Sequence, residues 1–136
     1  MDSRQQFDTP RAACALHCAV APADLAALAP LRARLRAALA DWGLAELADT
    51  AELLASELVT NALLHTGAGA VLDAAPTGAG GLLVEVRDEG GGLPAPRSAD
   101  ADATSGRGLL LVEALADRWG VRLRADGKTA WFELRI

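Results

Sequence analysis

Glu57 and Asn61 stand four residues apart in the run Ser56-Glu-Leu-Val-Thr-Asn-Ala62. On a helix, this spacing stacks the carboxylate and the amide one turn apart on the same face, where both can address one ligand. Asparagine is a mediocre helix-interior residue because its side chain competes for backbone hydrogen bonds. Asn61 nevertheless sits among Leu58, Val59, Ala62 and Leu63, and such local breaks of rule concentrate at functional sites. Its amide oxygen suits a hard cation such as Mg²⁺, which keeps several waters and shares its remaining positions with phosphates. The competing explanation is an exposed polar helix face. His65, a further turn along, reads as a helix-end residue and not as a catalyst.

Two other segments carry compatible chemistry. Asp88 closes the apolar run Leu82–Asp88 and is followed by Glu89 and then Gly90, Gly91 and Gly92. A carboxylate at a strand end can accept a hydrogen bond from an exocyclic amine, and the missing side chains let a planar base such as adenine approach the backbone. Taken alone, the same residues are an ordinary turn. Gly106-Arg-Gly108 opens an apolar run that reads as a helix, so free N–H groups and the positive end of the dipole are available to phosphate, with Arg107 adding charge. In Lys128-Thr129, the Thr129 hydroxyl can reach a base edge, while Lys128 reads as a turn residue. A Gly-x-x-x-x-Gly-Lys-Ser/Thr loop and a Gly-x-Ser-x-Gly elbow are both absent.

The elements that must position these groups follow from periodicity. Residues 12–20 alternate as a modest strand, with Cys14, Leu16 and Cys18 on one face and His17 on the other. That arrangement is small apolar packing, since a metal site would need further ligands at suitable spacing. A helix is expected from Ala23 to Trp42, where Leu28, Leu31, Leu35 and Leu39 recur and Gly43 stops it; Pro30 either kinks it or lies in its first turn. Arg32 and Arg36 on that helix form either a partner-facing patch or a solvated face.

Asp49 or Thr50 caps a second helix that runs to about His65 and ends at Gly67 and Gly69. Ala70–Ala75 and Leu82–Asp88 flank the turn-rich Pro76–Gly81 as a β-hairpin. Gly90 to Ser105 has the composition of a functional loop, a candidate lid. A third helix is expected from about Arg107 to Arg118, capped by Thr104 or Ser105 and ended by Gly120. Strands Val121–Ala125 and Thr129–Ile136 then enclose an Asp126-Gly127 turn. Because strands and helices do not alternate regularly, the expected class is α+β: a two-layer sandwich of a mixed, mostly antiparallel sheet with helices on one face. The glycine spacing does not fit a Rossmann fingerprint.

At 136 residues the chain suits a single domain over 12–136 behind a flexible N-terminus at 1–11. The net charge of −5 argues against phosphate-backbone recognition, so no direct contact with nucleic acid is expected. No apolar run is long enough to span a membrane, and the polar N-terminus lacks a signal-peptide layout, which makes the cytoplasm the expected location.

From about Ala12 to Leu134 the chain resembles the ATP-binding domain shared by gyrase, heat-shock chaperone, histidine kinase and mismatch-repair ATPases. Ser56-Glu-Leu-Val-Thr-Asn-Ala62 with His65, Gly106-Arg-Gly-Leu-Leu-Leu-Val112, Arg118-Trp-Gly120 and Gly127-Lys-Thr-Ala-Trp131 look most like the anti-sigma-factor serine/threonine kinases. The resemblance implies that Asn61 helps hold Mg²⁺, that Asp88 binds the adenine amine and that Gly90 and Gly92 shape the base pocket. It also implies that Gly106 and Gly108 belong to a phosphate-binding lid hinge and that Glu57 is the general base. The implied partners are a sigma factor and an anti-anti-sigma protein, with a homodimer possible. Departures from the pattern are Gly91, the charge that Arg107 places at the lid hinge, and the stiff Pro94-Ala95-Pro96. Intact Glu57, Asn61 and Asp88 disfavour a vestigial site but leave open a nucleotide-binding regulatory module without efficient phosphoryl transfer.

Overall fold

The computed structural model describes residues 15–78, 80–88, 110–125 and 127–136. Five strands form one sheet: β1 (Leu16–Val20), β2 (Ala70–Thr77), β3 (Gly81–Asp88), β4 (Arg118–Arg124) and β5 (Gly127–Arg135). Helices α1 (Leu28–Asp41) and α2 (Ala48–Thr66) pack on one face, joined there by Val112 of the helical stretch 110–115, hereafter α3. The architecture is α+β, and every strand pairing is antiparallel, so the mixed sheet of the expectation is resolved into a uniform one.

The strand order is β1-β2-β3-β5-β4. The chain leaves β3 for the far edge, and β5 returns to the centre beside β3, pairing Val86 with Ala130 and Arg87 with Thr129. This ordering places the end of β3, which carries Asp88, against the beginning of β5. Even-numbered side chains of β1, β2, β3 and β5 face the helices: Cys18, Leu72, Val84, Phe132 and Leu134 all belong to the core.

α1 begins later than periodicity alone predicts. Ala23 adopts φ 59, in the left-handed region that no helix continues, and Leu25–Ala27 form a 3₁₀ turn. Pro30 therefore lies in the first turn, where a missing N–H costs nothing, and Leu31, Leu35 and Leu39 are buried behind it. α2 begins earlier than expected and has no side-chain cap; Ala48 is already in the core, and Asp49 lies inside the first turn. Arg36 of α1 donates to Asp49 Oδ1 at 2.6 Å and also pairs with Glu52, which bridges the two helices and occupies one of the two arginines of the proposed patch. Arg32 donates to Ser56 Oγ at 3.4 Å. Gly67, at φ 68, closes α2 as anticipated.

The β2–β3 hairpin extends further into its turn than the sequence suggests, pairing Pro76 with Leu82 and Thr77 with Gly81. α3 ends before Arg118, which opens β4, so Gly120 is a strand residue opposite Trp131 and not a helix stop. The Asp117 carboxylate accepts from the Arg135 amide at 2.7 Å and the Asp117 amide donates to the Glu133 carbonyl at 2.9 Å, tying the start of β4 to β5. Leu16–Val20 is the observed first strand; residues 12–14 lie outside the described ones. Burial pushes the Cys18 thiol above its ordinary pKa, and on the opposite face His17 Nδ1 pairs with Asp73 Oδ1 at 2.6 Å.

Candidate functional site

α2 and the β3–β5 pair enclose a cleft. Its walls are Leu58 and Ala62 from α2, Val86 from β3, Ala130 from β5 and Val121 from β4. Among the described residues, three polar ones line it as well: Asn61, Asp88 and Lys128. The cleft has a cavity volume of about 70 Å³ and opens to solvent.

The polar groups reach the cleft for identifiable local reasons. Asn61 lies on the buried face of α2 and is 9% exposed. Among the described residues no group hydrogen-bonds its side-chain amide. A nearly buried amide at a cleft without a protein partner is costly unless a ligand or water completes it. Asp88 is the last residue of β3, points to the helix face in step with Val84 and Val86, and is 3% exposed. Its Oδ1 accepts the Lys128 amide at 3.2 Å. Gly127 makes this approach feasible: a Cβ there would stand 2.9 Å from the Asp88 carbonyl oxygen, and its φ of +144 suits glycine. The glycine is thus a steric requirement for seating the carboxylate at the cleft.

The other anticipated residues fall in different places. Glu57 stands one turn before Asn61, partly exposed and outside the lining of the cleft. Thr129 is a correction: it alternates with Lys128 and Ala130 and so points to the sheet face away from the helices, where it is 3% exposed. Its hydroxyl has no hydrogen-bond partner among the described residues, but from that face it does not meet a base in the cleft. Lys128, read from the sequence as a turn residue, takes the cleft position instead. Counting back by twos from an apolar Phe132 and Leu134 would have found it. Gly90, Gly92, Gly106, Arg107, Gly108 and the Gly90–Ser105 loop lie outside the described residues. His65 is in the last turn of α2.

A carboxylate and an amide on opposing elements, with apolar walls between them, fit a planar heterocycle that bears an amine and continues into a polar tail. Residues 21–134 match the family described as the histidine kinase-like ATPase domain. The chain belongs to that family, whose members' ATPase fold agrees with the one-sided antiparallel sandwich seen here. No curated protein matches the chain. Among the described residues no helix is long and apolar enough to cross a membrane.

Proposed function

We propose that this protein binds ATP with Mg²⁺ in the cleft and acts as an anti-sigma-type serine/threonine kinase on an anti-anti-sigma antagonist. The observation that carries the nucleotide reading is the convergence of the Asn61 amide and the Asp88 carboxylate on one apolar cleft. Asp88 accepts from the adenine amine, and Leu58, Ala62, Val86 and Ala130 supply the dry faces that a purine ring fills. Asn61 would hold Mg²⁺, which supplies charge neutralisation on the phosphates when bound.

Glu57 is the proposed general base. A serine Oγ of the antagonist attacks the γ-phosphorus, its proton passes to Glu57, and the bond from the γ-phosphorus to the bridging oxygen breaks, releasing ADP. The stack of Glu57 over Asn61 supports this role, because it sets the base one turn from the residue nearest the phosphates. Phosphorylation of the antagonist would leave the sigma factor sequestered by this protein. The placement of Glu57 outside the cleft's lining favours a second reading, a nucleotide-binding regulatory module that engages its partner without efficient transfer.

Calorimetric titration of ATP with and without Mg²⁺ tests the site; no binding at millimolar nucleotide overturns both readings. Labelled ATP mixed with the protein and antagonist proteins from the same cell separates them, since absence of transfer selects the binding module. Asp88→Asn is expected to weaken ATP binding. Glu57→Ala is expected to leave binding near wild type and to lower transfer by about 10²–10⁴-fold; equal loss of binding in both variants contradicts the roles.

A further inference from the structure

The outer face of the sheet, turned away from the helices, carries two buried polar groups that the cleft does not use. Thr129 and Trp131 are successive residues on that face of β5 and are 3% and 1% exposed. Among the described residues, neither the Thr129 hydroxyl nor the Trp131 Nε1–H has a hydrogen-bond partner. A buried indole N–H usually finds an acceptor, and leaving either group unpaired costs stability. Two such orphans two residues apart on one strand call for an occupant that accepts from both.

Strand register shows what flanks them. Arg87 of β3 and Arg122 of β4 stand directly opposite Thr129, one on each side and on the same face. Their Cα atoms are two strand spacings apart, about 10 Å, a distance that two arginine side chains can span to converge above the threonine. Both are half-buried, and among the described residues neither guanidinium has an ion pair or hydrogen bond. The arginines at the other end of this face differ. Arg118 pairs with Glu133 at 3.2 Å and lies over the Trp131 ring, 5.6 Å from its centroid, and Arg135 approaches the same carboxylate at 3.8 Å. Glu85, opposite Trp131 on β3, has an interaction of its own. Every group left over can donate: guanidinium and indole N–H are donor-only, and the hydroxyl donates as well as accepts. The complement of such a set is an oxyanion. Guanidiniums match phosphate oxygens in bidentate pairs, and donors arriving from three neighbouring strands suit the spread of a tetrahedral anion's oxygens better than the single plane of a carboxylate. We propose that Arg87, Arg122, Thr129 and Trp131 form a phosphate-binding site on the outer face of the sheet, for inorganic phosphate or the phosphoryl group of a small monoester. The sheet separates this site from the cleft, so it stands whether or not the cleft takes a nucleotide.

Nuclear magnetic resonance of the full chain reads the site directly. The indole N–H signals of Trp42, Trp119 and Trp131, assigned with Trp131→Phe, and the Thr129 amide are followed while inorganic phosphate, phenyl phosphate or acetate is added at constant ionic strength. Phosphate is expected to shift the Trp131 indole and the Thr129 amide together and to saturation, with acetate giving a weaker response. Arg87→Gln and Arg122→Gln are each expected to raise the phosphate dissociation constant by about 10- to 100-fold, the scale of hydrogen bonding to a charged group. Thr129→Val, which keeps the shape and removes the hydroxyl, should weaken binding less, and thermal melts of each variant exclude a folding defect. Tighter binding of phenyl phosphate identifies a monoester as the ligand, and tighter binding of inorganic phosphate identifies the free anion; either result upholds the site. An unmoved Trp131 indole at tens of millimolar phosphate overturns it. So does an equal response to acetate, or an unchanged titration in both arginine variants. Shifts confined to the Asn61 side-chain amide place the anion in the cleft and overturn it as well.

Discussion

The β3–β5 pair is filled at one end and open at the other, although both ends face the same helix layer. At the filled end Leu82, Val84, Phe132 and Leu134 are at most 2% exposed and close against the leucines of α1 and α2. At the open end the same alternation continues with Val86 and Asp88 on β3 and with Ala130 and Lys128 on β5, and the helix contributes Asn61 and Ala62. The difference lies in side-chain volume and polarity, not in backbone. Small alanines and hydrogen-bonding groups stand where branched hydrocarbons would complete the core, and the volume they leave is the cleft. Close-packed interiors tolerate few such gaps, so a persistent one lined by polar groups points to a ligand.

The comparison can be broken most strongly at the filled end. Phe132→Ala removes a fully buried ring and is expected to cost about 3–5 kcal/mol, read as a lower urea midpoint with an unchanged slope. An equally large loss on truncating Val121 at the cleft would remove the contrast. At the open end, Ala130→Leu is expected to do the reverse: the larger side chain projects into existing space, so the melting temperature stays near wild type while ATP affinity falls by more than about tenfold, one displaced contact's worth. A variant that keeps full ATP affinity would show that the ligand does not use this wall.

A smaller effect sharpens the comparison at β1. Burial pushes the Cys18 thiol up, so the folded chain holds its proton more tightly than the unfolded chain does. This contribution to stability is complete below the ordinary thiol pKa of about 8.5 and declines as pH rises through the higher folded value. Alkylation at pH 8, assigned by peptide mass, should be slow at Cys18 until denaturant is added; rapid labelling in the native protein would contradict its place in the core.

Much of this was legible along the chain. Asn61 stood out because an amide in a leucine-rich helix contradicts local preference, and Asp88 because an apolar strand ended on a carboxylate before glycines. The helix spans were readable to within a few residues, and their misread ends have physical causes: Ala23 takes a left-handed backbone, Ala48 is drawn into the core before any capping residue, and the backbone of Asp117 bonds to β5 where the helix was expected to continue. Lys128 and Thr129 were exchanged because composition favours a threonine at a base edge, whereas the strand's two-residue period decides which side chain arrives.

The sequence by itself therefore determined the elements, the family resemblance and the chemical character of Asn61 and Asp88, since these depend on residues near one another in the chain. Tertiary structure alone decided that β5 lies between β3 and β4, that Gly127 admits the Asp88 carboxylate, and that Lys128 faces the cleft while Thr129 turns away. Those outcomes depend on strand order and register between segments about forty residues apart, such as Asp88 and Lys128. Long-range pairing is selected by burying the whole apolar face at once, and no local spacing encodes it.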